Sequence, residues 1–190
     1  MTPELSNLFS LKDKVVVITG ATGLLGRKHA EAVAAYDGIP VLLDLSQDAL
    51  DEQAATLNQR YSVNAVGFKV DITDEIQVKT NAALLIKKFG KIDGLVNNAA
   101  NNPKVEDNSE KYFSRLENFH LDMWNQDIAV GLTGAFLCAK HYGYEITQNP
   151  AGGVIINISS DLGLIAPDQR LYSNSDLKVK DQSVKPITYS

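Results

Sequence analysis

Residues 19–26, Thr19-Gly20-Ala21-Thr22-Gly23-Leu24-Leu25-Gly26 (TGATGLLG), follow the apolar run VVVI at 15–18. Three glycines here join a β-branched run to a stretch of helix formers. That pattern predicts a tight turn between a buried strand and a helix. Gly20 permits the sharp turn, Gly23 lets backbone approach a ligand, and Gly26 lets the helix pack closely on the strand. The helix N-terminus presents free N–H groups, which suit a phosphate. Taken alone, three glycines also fit a purely structural turn, so the surroundings must decide.

Outward from the turn, strand-like and helix-like segments alternate. KVVVIT is followed by a helix over 24–36 with Leu25, Ala32 and Val33 on one side. IPVLLDL is a second strand after the Asp37-Gly38 turn, and residues 47–60 are helical. NAVGFKVD is a third strand. Thr73 is the expected N-cap of the next helix, with Asp74 and Glu75 in a first turn that favours anions. That helix runs to Phe89 and stops at Gly90. IDGLVNNA is a fourth strand. A polar stretch, 100–118, precedes a helix over 121–147, and GGVIINIS is a fifth strand. The strands are near-continuous apolar runs rather than period-two alternations. The expected fold is therefore α/β: a doubly wound parallel sheet, helices on both faces, right-handed crossovers, three layers α/β/α. The chain reads as one domain, 1–190, with a long polar loop over 161–188 that is either functional or mobile.

In such a sheet the ligand sits beyond the carboxyl ends of the strands, where strand order reverses. Asp44, 18 residues past Gly26, ends the second strand. A carboxylate there accepts hydrogen bonds from adenosine ribose hydroxyls and repels a 2′-phosphate. The turn and Asp44 together point to NAD, with NADP second. Arg27 and Lys28 soften the repulsion.

The 190 residues are 44% hydrophobic and 22% charged, enough for one ordinary core, and the formal net charge is -5. A mildly acidic chain without basic clusters speaks against nucleic acid. Its apolar runs are too short to cross a bilayer, and residues 1–14 lack the pattern of a secretory signal. Cys138 is the single cysteine, which fits a reducing cytoplasmic setting. His29, His120 and His141 are scattered, so no metal site is expected.

TGATGLLG, VDIT (Asp71), LVNNAA (Asn97, Asn98, Ala99, Ala100), the stretch from Trp124 to Lys140 and GGVIINISS (Ser159, Ser160) together resemble the short-chain dehydrogenase/reductase family, in order and spacing. The resemblance implies a Rossmann-type fold and an oxidoreductase that interconverts a secondary alcohol and a ketone. It implies cofactor contacts from Gly20, Thr22, Gly23, Leu24, Leu25 and Gly26, and from Asp44. Asp71 and Ile72 would flank the adenine. Asn98, Ala99 and Ala100, with Asn97, would line the nicotinamide-side ribose and brace the sheet. Ser160 would hydrogen-bond the substrate oxygen, a tyrosine would be the general acid/base, and a lysine four residues on would lower its pKa. A phenol of ordinary pKa about 10 needs such a cation near neutral pH. Family members often form homodimers or tetramers. A sugar or sugar derivative is the expected substrate, from likeness of 113–140 to relatives linked with sugar metabolism.

The chain departs from the family pattern in four places. The glycine spacing G-x-x-G-x-x-G belongs to the extended sugar-nucleotide members, whereas NNAA and NISS belong to the compact ones. Ala100 replaces the usual glycine. Gly131 replaces a usual asparagine of a proton relay; in a helix interior it costs roughly 1 kcal/mol against alanine, which implies close packing or a bulge. Tyr172 lies at the usual distance from the serine, yet Asp176 stands four residues on and would raise a phenol's pKa. Tyr189, in PITYS, is therefore the expected catalytic tyrosine, with an insertion over 161–188. Relatives continue past this tyrosine with further strands, so the chain reads as the first two-thirds or so of an enzyme.

Two other readings stay open: a dinucleotide-binding regulatory module without catalysis, and an extended sugar-nucleotide epimerase or dehydratase. Simpler roles account for other residues: Cys138 as a packed thiol, Trp124 as a helix-start core residue, Asp168 and Arg170 as a solvated loop pair, His120 as a surface histidine, Lys140 as a solvated stem. On the enzyme reading, the purified 190-residue chain shows little or no turnover of alcohols with NAD, followed by nicotinamide absorbance; turnover at ordinary enzyme rates would contradict this. DNA past Ser190 separates the readings: a lysine codon at the third position with two more strand-like segments supports the enzyme, a stop codon the module.

Overall fold

The run VVVIT forms β1 (Val15–Thr19), and all five of its residues are buried. A computed structural model describes residues 8–101, 114–182 and 184–188. Tyr189 therefore lies outside the described residues. After β1 come α1 (Leu24–Ala35), β2 (Ile39–Asp44), α2 (Gln47–Tyr61), β3 (Val66–Lys69), α3 (Glu75–Phe89) and β4 (Gly94–Asn97). Then follow α4 (Leu121–Ile128), a π-helical stretch (Ala129–Gly134), α5 (Ala135–Thr147) and β5 (Val154–Asn157). The five described strands form one parallel sheet in the order β3-β2-β1-β4-β5. Val15 pairs with Ile39, Val16 with Gly94, Val41 with Val66 and Gly94 with Val154. Strand order reverses at β1, whose neighbours are β2 and β4.

The described residues fall into two compact units: one within 1–99 and 133–158, the other within 100–132 and 159–190. The first holds the sheet. On one face Val16, Ile18 and Leu42 bury against Ala30, Val33 and Ala34 of α1 and Leu50, Ala54 and Leu57 of α2. Alternation sends Val15, Val17 and Leu43 to the other face. There α3 and α5 pack on each other, and α5 on β4 and β5. The Tyr142 hydroxyl, buried in α5, donates to Asn81 Oδ1 of α3 at 3.0 Å. Cys138, four residues earlier in α5, is fully buried, and desolvation pushes its thiol up to about 12. β5 is an edge strand, and all four of its residues are exposed. The second unit holds α4 and short 3-10 turns at Asp161–Gly163, Gln169–Tyr172 and Val179–Asp181 within the expected long loop.

Several local expectations shift. The buried side of α1 is Gly26, Ala30, Val33 and Ala34; Leu25 and Ala32 are exposed. The N-cap of α3 is Asp74, not Thr73: its carboxylate accepts from the N–H groups of Ile76 and Gln77. The Thr73 hydroxyl instead donates to Asp71 Oδ1 at 2.7 Å. Ser62 and Gly90 close α2 and α3 in the left-handed region, as the glycine predicted for Gly90. The single helix expected over 121–147 is broken by the π stretch. Gly131 sits in it, and a Cβ there would meet nothing within 4 Å, so the widened turn, not close packing, goes with this glycine. Trp124 is 41% exposed and not a core residue. Lys140 has an exposed stem, as expected, and its Nζ also pairs with Glu75 at 2.6 Å.

Opposite the ligand end of the sheet, Asp93 anchors β1 to β4. Its Oδ2 accepts from the Val15 N–H and its Oδ1 from Lys14 Nζ, both at 3.0 Å, and Lys91 pairs with it. Burial pushes this carboxyl up, but the Val15 N–H and the two lysines outweigh burial and hold it below the ordinary range. A depressed folded-state pKa stabilises the fold above the ordinary value, and that contribution is lost as pH falls through the lowered one. Asp93→Ala is expected to destabilise by about 2–3 kcal/mol at neutral pH, since it strands a buried N–H. Denaturant midpoints measured from neutral pH to below about 4 should fall in the parent and change less in the variant.

Candidate cofactor and active site

The glycine turn leaves β1 at its carboxyl end, beside β4. Gly20 adopts φ +61°, and a Cβ there would lie 2.9 Å from Ala99 Cα. Only glycine combines that conformation with so close an approach. At Gly26 a Cβ would fall 2.1 Å from the Gly20 carbonyl oxygen, so this residue sets how tightly α1 seats on the turn. Gly23 is the N-cap, with extended backbone and no side-chain cap. The first bond of the helix runs from the Arg27 N–H to the Gly23 carbonyl at 3.0 Å. The N–H groups of Leu24, Leu25 and Gly26 precede it, aimed along the helix axis where an anion binds best. The side chains of Leu24 and Leu25 are exposed.

Asp44 reaches back into this turn. Its Oδ2 accepts from the Thr22 N–H at 2.9 Å and the Thr22 hydroxyl at 2.7 Å, and its Oδ1 from the Leu45 N–H at 2.7 Å. A carboxylate offers about four acceptor sites, so these three bonds leave about one unused. A two-hydroxyl grip on a ribose therefore needs the Thr22 hydroxyl to yield. The neighbouring cations are engaged: Arg27 Nε donates to the Thr22 carbonyl at 2.8 Å, and Lys28 pairs with Glu31 at 2.9 Å. Asp71 closes the turn before α3, with Oδ1 accepting from the Thr73 N–H at 2.9 Å, and Ile72 is buried.

After β4, Asn98 ties the two strand ends together. Its Nδ2 donates to the carbonyls of Thr19 and Gly20 at 2.9 and 3.2 Å. The N–H groups of Asn98 and Ala99 both donate to the Thr19 hydroxyl at 3.0 Å. Thr19 is a fixing residue that spacing alone did not single out; its signal was a hydroxyl at the end of an otherwise apolar run. Asn97 is buried, and its Nδ2 donates to Asn157 Oδ1 of β5 at 2.8 Å. These bonds brace β1, β4 and β5.

Gly20 to Gly26, Asp44, Asp71, Ile72, Asn98 and Ala99 belong to the first unit. Ala100, exposed, and Ser160 belong to the second. There the Ser160 hydroxyl donates to Asp161 Oδ1 at 3.1 Å and accepts from the Leu162 N–H at 3.2 Å. Tyr172, 40% exposed, shares a cavity with it. His120 is exposed, and Arg170 forks onto Asp168.

A doubly wound parallel sheet whose glycine turn meets a helix N-terminus at the point of reversal defines the dinucleotide-binding class of α/β folds. The family profile described as short chain dehydrogenase matches residues 14–179, and the chain belongs to that family. It is 33% identical over 165 residues to an NAD-dependent glycerol dehydrogenase of Listeria innocua, which covers 86% of this chain and 59% of that protein. It is 30% identical over 159 residues to an NADP-dependent mannitol dehydrogenase of Alternaria alternata, covering 82% and 56%. The solved structure of an NAD+-bound xylitol dehydrogenase superimposes with a TM-score of 0.73 at 30% identity, covering 83% of this chain and 56% of that one. The chain thus spans a little over half the length of these relatives.

The glycine geometry predicts a graded response to alanine. Gly26→Ala is expected to destabilise by about 3 kcal/mol or more, because backbone must move. Gly20→Ala follows, strained in conformation and contact. Gly23→Ala, whose Cβ would sit 3.3 Å from the Gly20 oxygen, should cost about 1 kcal/mol or less. Thermal unfolding of the three variants checks the order.

Proposed function

We propose that this protein is an NAD-dependent oxidoreductase that interconverts a secondary alcohol and a ketone on a sugar alcohol or related sugar derivative. The observation that carries the cofactor half is the uncapped helix start at Leu24, Leu25 and Gly26 with Asp44 hydrogen-bonded to the same turn. Three ordered N–H groups suit a pyrophosphate, and a carboxylate with one open acceptor site suits a ribose hydroxyl and disfavours a 2′-phosphate. Relatives of both cofactor types exist, so the preference for NAD rests on Asp44. Support for the substrate class comes from relatives named for glycerol, mannitol and xylitol.

In this reading the cofactor contacts are Gly20, Thr22, Gly23, Leu24, Leu25, Gly26, Asp44, Asp71, Ile72, Asn98, Ala99 and Ala100. Bound NAD supplies a hydride acceptor. Ser160 hydrogen-bonds the substrate oxygen, for which its hydroxyl must turn from Asp161. Tyr189 takes the hydroxyl proton as the carbinol is oxidised and returns it in reduction. Residues 1–190 act as one cofactor-binding domain of a cytoplasmic homo-oligomer. Among the described residues no helix is long and apolar enough to cross a membrane. Gly131, in place of a proton-relay asparagine, favours the second reading, a dinucleotide-binding module without turnover.

Calorimetric titration tests the cofactor claim. NAD is expected to bind at least about tenfold more tightly than NADP, one factor of ten being about 1.4 kcal/mol. Asp44→Ala should narrow the gap to less than about threefold, with its unfolding midpoint recorded because the substitution also releases Thr22. No NAD binding by the parent, or tighter NADP binding, would overturn the proposal.

A further inference from the structure

At the β3 edge of the sheet, against α3, lies a cavity of about 400 Å³. Among the described strands β3 pairs with β2 alone, which leaves its other side without a strand partner. Side chains take the backbone donors there. The Lys69 N–H donates to Gln47 Oε1 and, just past the strand, the Asp71 N–H to Gln77 Oε1, both at 3.0 Å. The amide nitrogens of the same glutamines are engaged too, Gln47 Nε2 with Asp51 Oδ1 at 2.8 Å and Gln77 Nε2 with Asp74 Oδ2 at 3.0 Å. Gln47 and Gln77, which both line the cavity, are thus fixed walls of it. They also close this edge to an extended peptide, which adds a strand only by bonding to free backbone groups.

The rest of the lining narrows the occupant. Phe68, Val70, Ile76 and Leu84 supply apolar surface, and no carboxylate is among the described lining residues. Ile76 is 77% exposed and Leu84 43%, on one face of α3. Asn81, one turn after Gln77, is only 7% exposed. Its Oδ1 accepts from the buried Tyr142 hydroxyl at 3.0 Å. Its Nδ2 has no acceptor among the described residues, yet it is not sealed inside the protein. Asn81 lines the cavity, so this donor opens into it. A largely buried donor without an acceptor is unfavourable, and a ligand oxygen relieves it. Lys69 is exposed, so the cavity has no buried cation to compensate a buried anion.

We propose that the cavity between β3 and α3 is a binding site for a small, neutral, largely apolar carbonyl compound. Its carbonyl oxygen accepts from Asn81 Nδ2, and its apolar body lies over Phe68, Val70, Ile76 and Leu84. At about 30 Å³ per water the cavity equals about thirteen waters, and small-molecule pockets begin at about 300 Å³. All of its lining residues belong to the first unit. None of Gly20 to Gly26, Asp44, Asp71, Ile72 or Asn98 to Ala100 is among them, so the site does not depend on the dehydrogenase reading above.

The test follows backbone amide signals of residues 68–84 by NMR in the 190-residue chain, titrated without dinucleotide. The probes are acetophenone and ethylbenzene, which share a shape and differ in the carbonyl oxygen. Acetophenone is expected to shift these signals saturably, and ethylbenzene to bind at least about fivefold more weakly. Asn81→Asp keeps an acceptor for the Tyr142 hydroxyl and removes the Nδ2 donor; it should bring acetophenone within about twofold of ethylbenzene. Leu84→Ser, at an exposed position, should weaken both probes at least about threefold. Unmoved signals, equal affinities in the parent, or full acetophenone affinity in either variant would overturn the site. Should Asn81→Asp fail to fold, the ratio of the two probes in the parent and the Leu84→Ser variant still decide.

Discussion

A single buried hydroxyl fixes the geometry on which the cofactor end of the sheet depends. Thr19 Oγ1 accepts two backbone N–H groups, those of Asn98 and Ala99, and donates to the Val96 carbonyl at 3.4 Å. Apolar burial holds β1 against β4 but is indifferent to where the two strands part. The hydroxyl, with the Asn98 amide on the Thr19 and Gly20 carbonyls, sets that point. The left-handed Gly20 follows at once, so the turn and the loop after β4 are held at a distance that side-chain packing alone would not specify. Such a buried, mutually satisfied set of polar groups gives specificity of arrangement more than net stability.

Asp44 carries a related constraint. It ends β2, three residues before α2, and its carboxylate shapes the glycine turn through Thr22. On the proposed NAD reading, charge selection and turn geometry are thus coupled in one side chain. A neutral residue there would loosen the backbone that presents the N–H groups.

The order of strands and helices was legible because a parallel sheet buries both faces, so its strands appear as unbroken apolar runs. Val15 to Thr19 and the Asp44 position follow directly from that signal and from spacing. Finer features did not follow, for local reasons. Leu25 looks like a core residue, but the tight turn starts α1 in a phase that buries Gly26 and Ala30 and leaves Leu25 in solvent. Thr73 and Asp74 are both good caps; Thr73 is captured by Asp71, which leaves Asp74 to cap the start of α3. Trp124 is apolar in a helix, yet composition cannot reveal that its helix gives way to a π stretch one turn later. The cavity between β3 and α3 depends on Gln47, 22 residues from the Lys69 N–H that it holds, and such long-range closure has no periodic trace.

Cys138 gives the sheet a built-in reporter. It is the chain's one thiol, fully buried in α5, and desolvation keeps it protonated at any ordinary pH. A thiolate forms, and an alkylating reagent gains entry, only when the packing around α5 opens. The rate at which this sulfur is modified therefore clocks the opening of that layer, with no engineered label and no second site to confuse the reading.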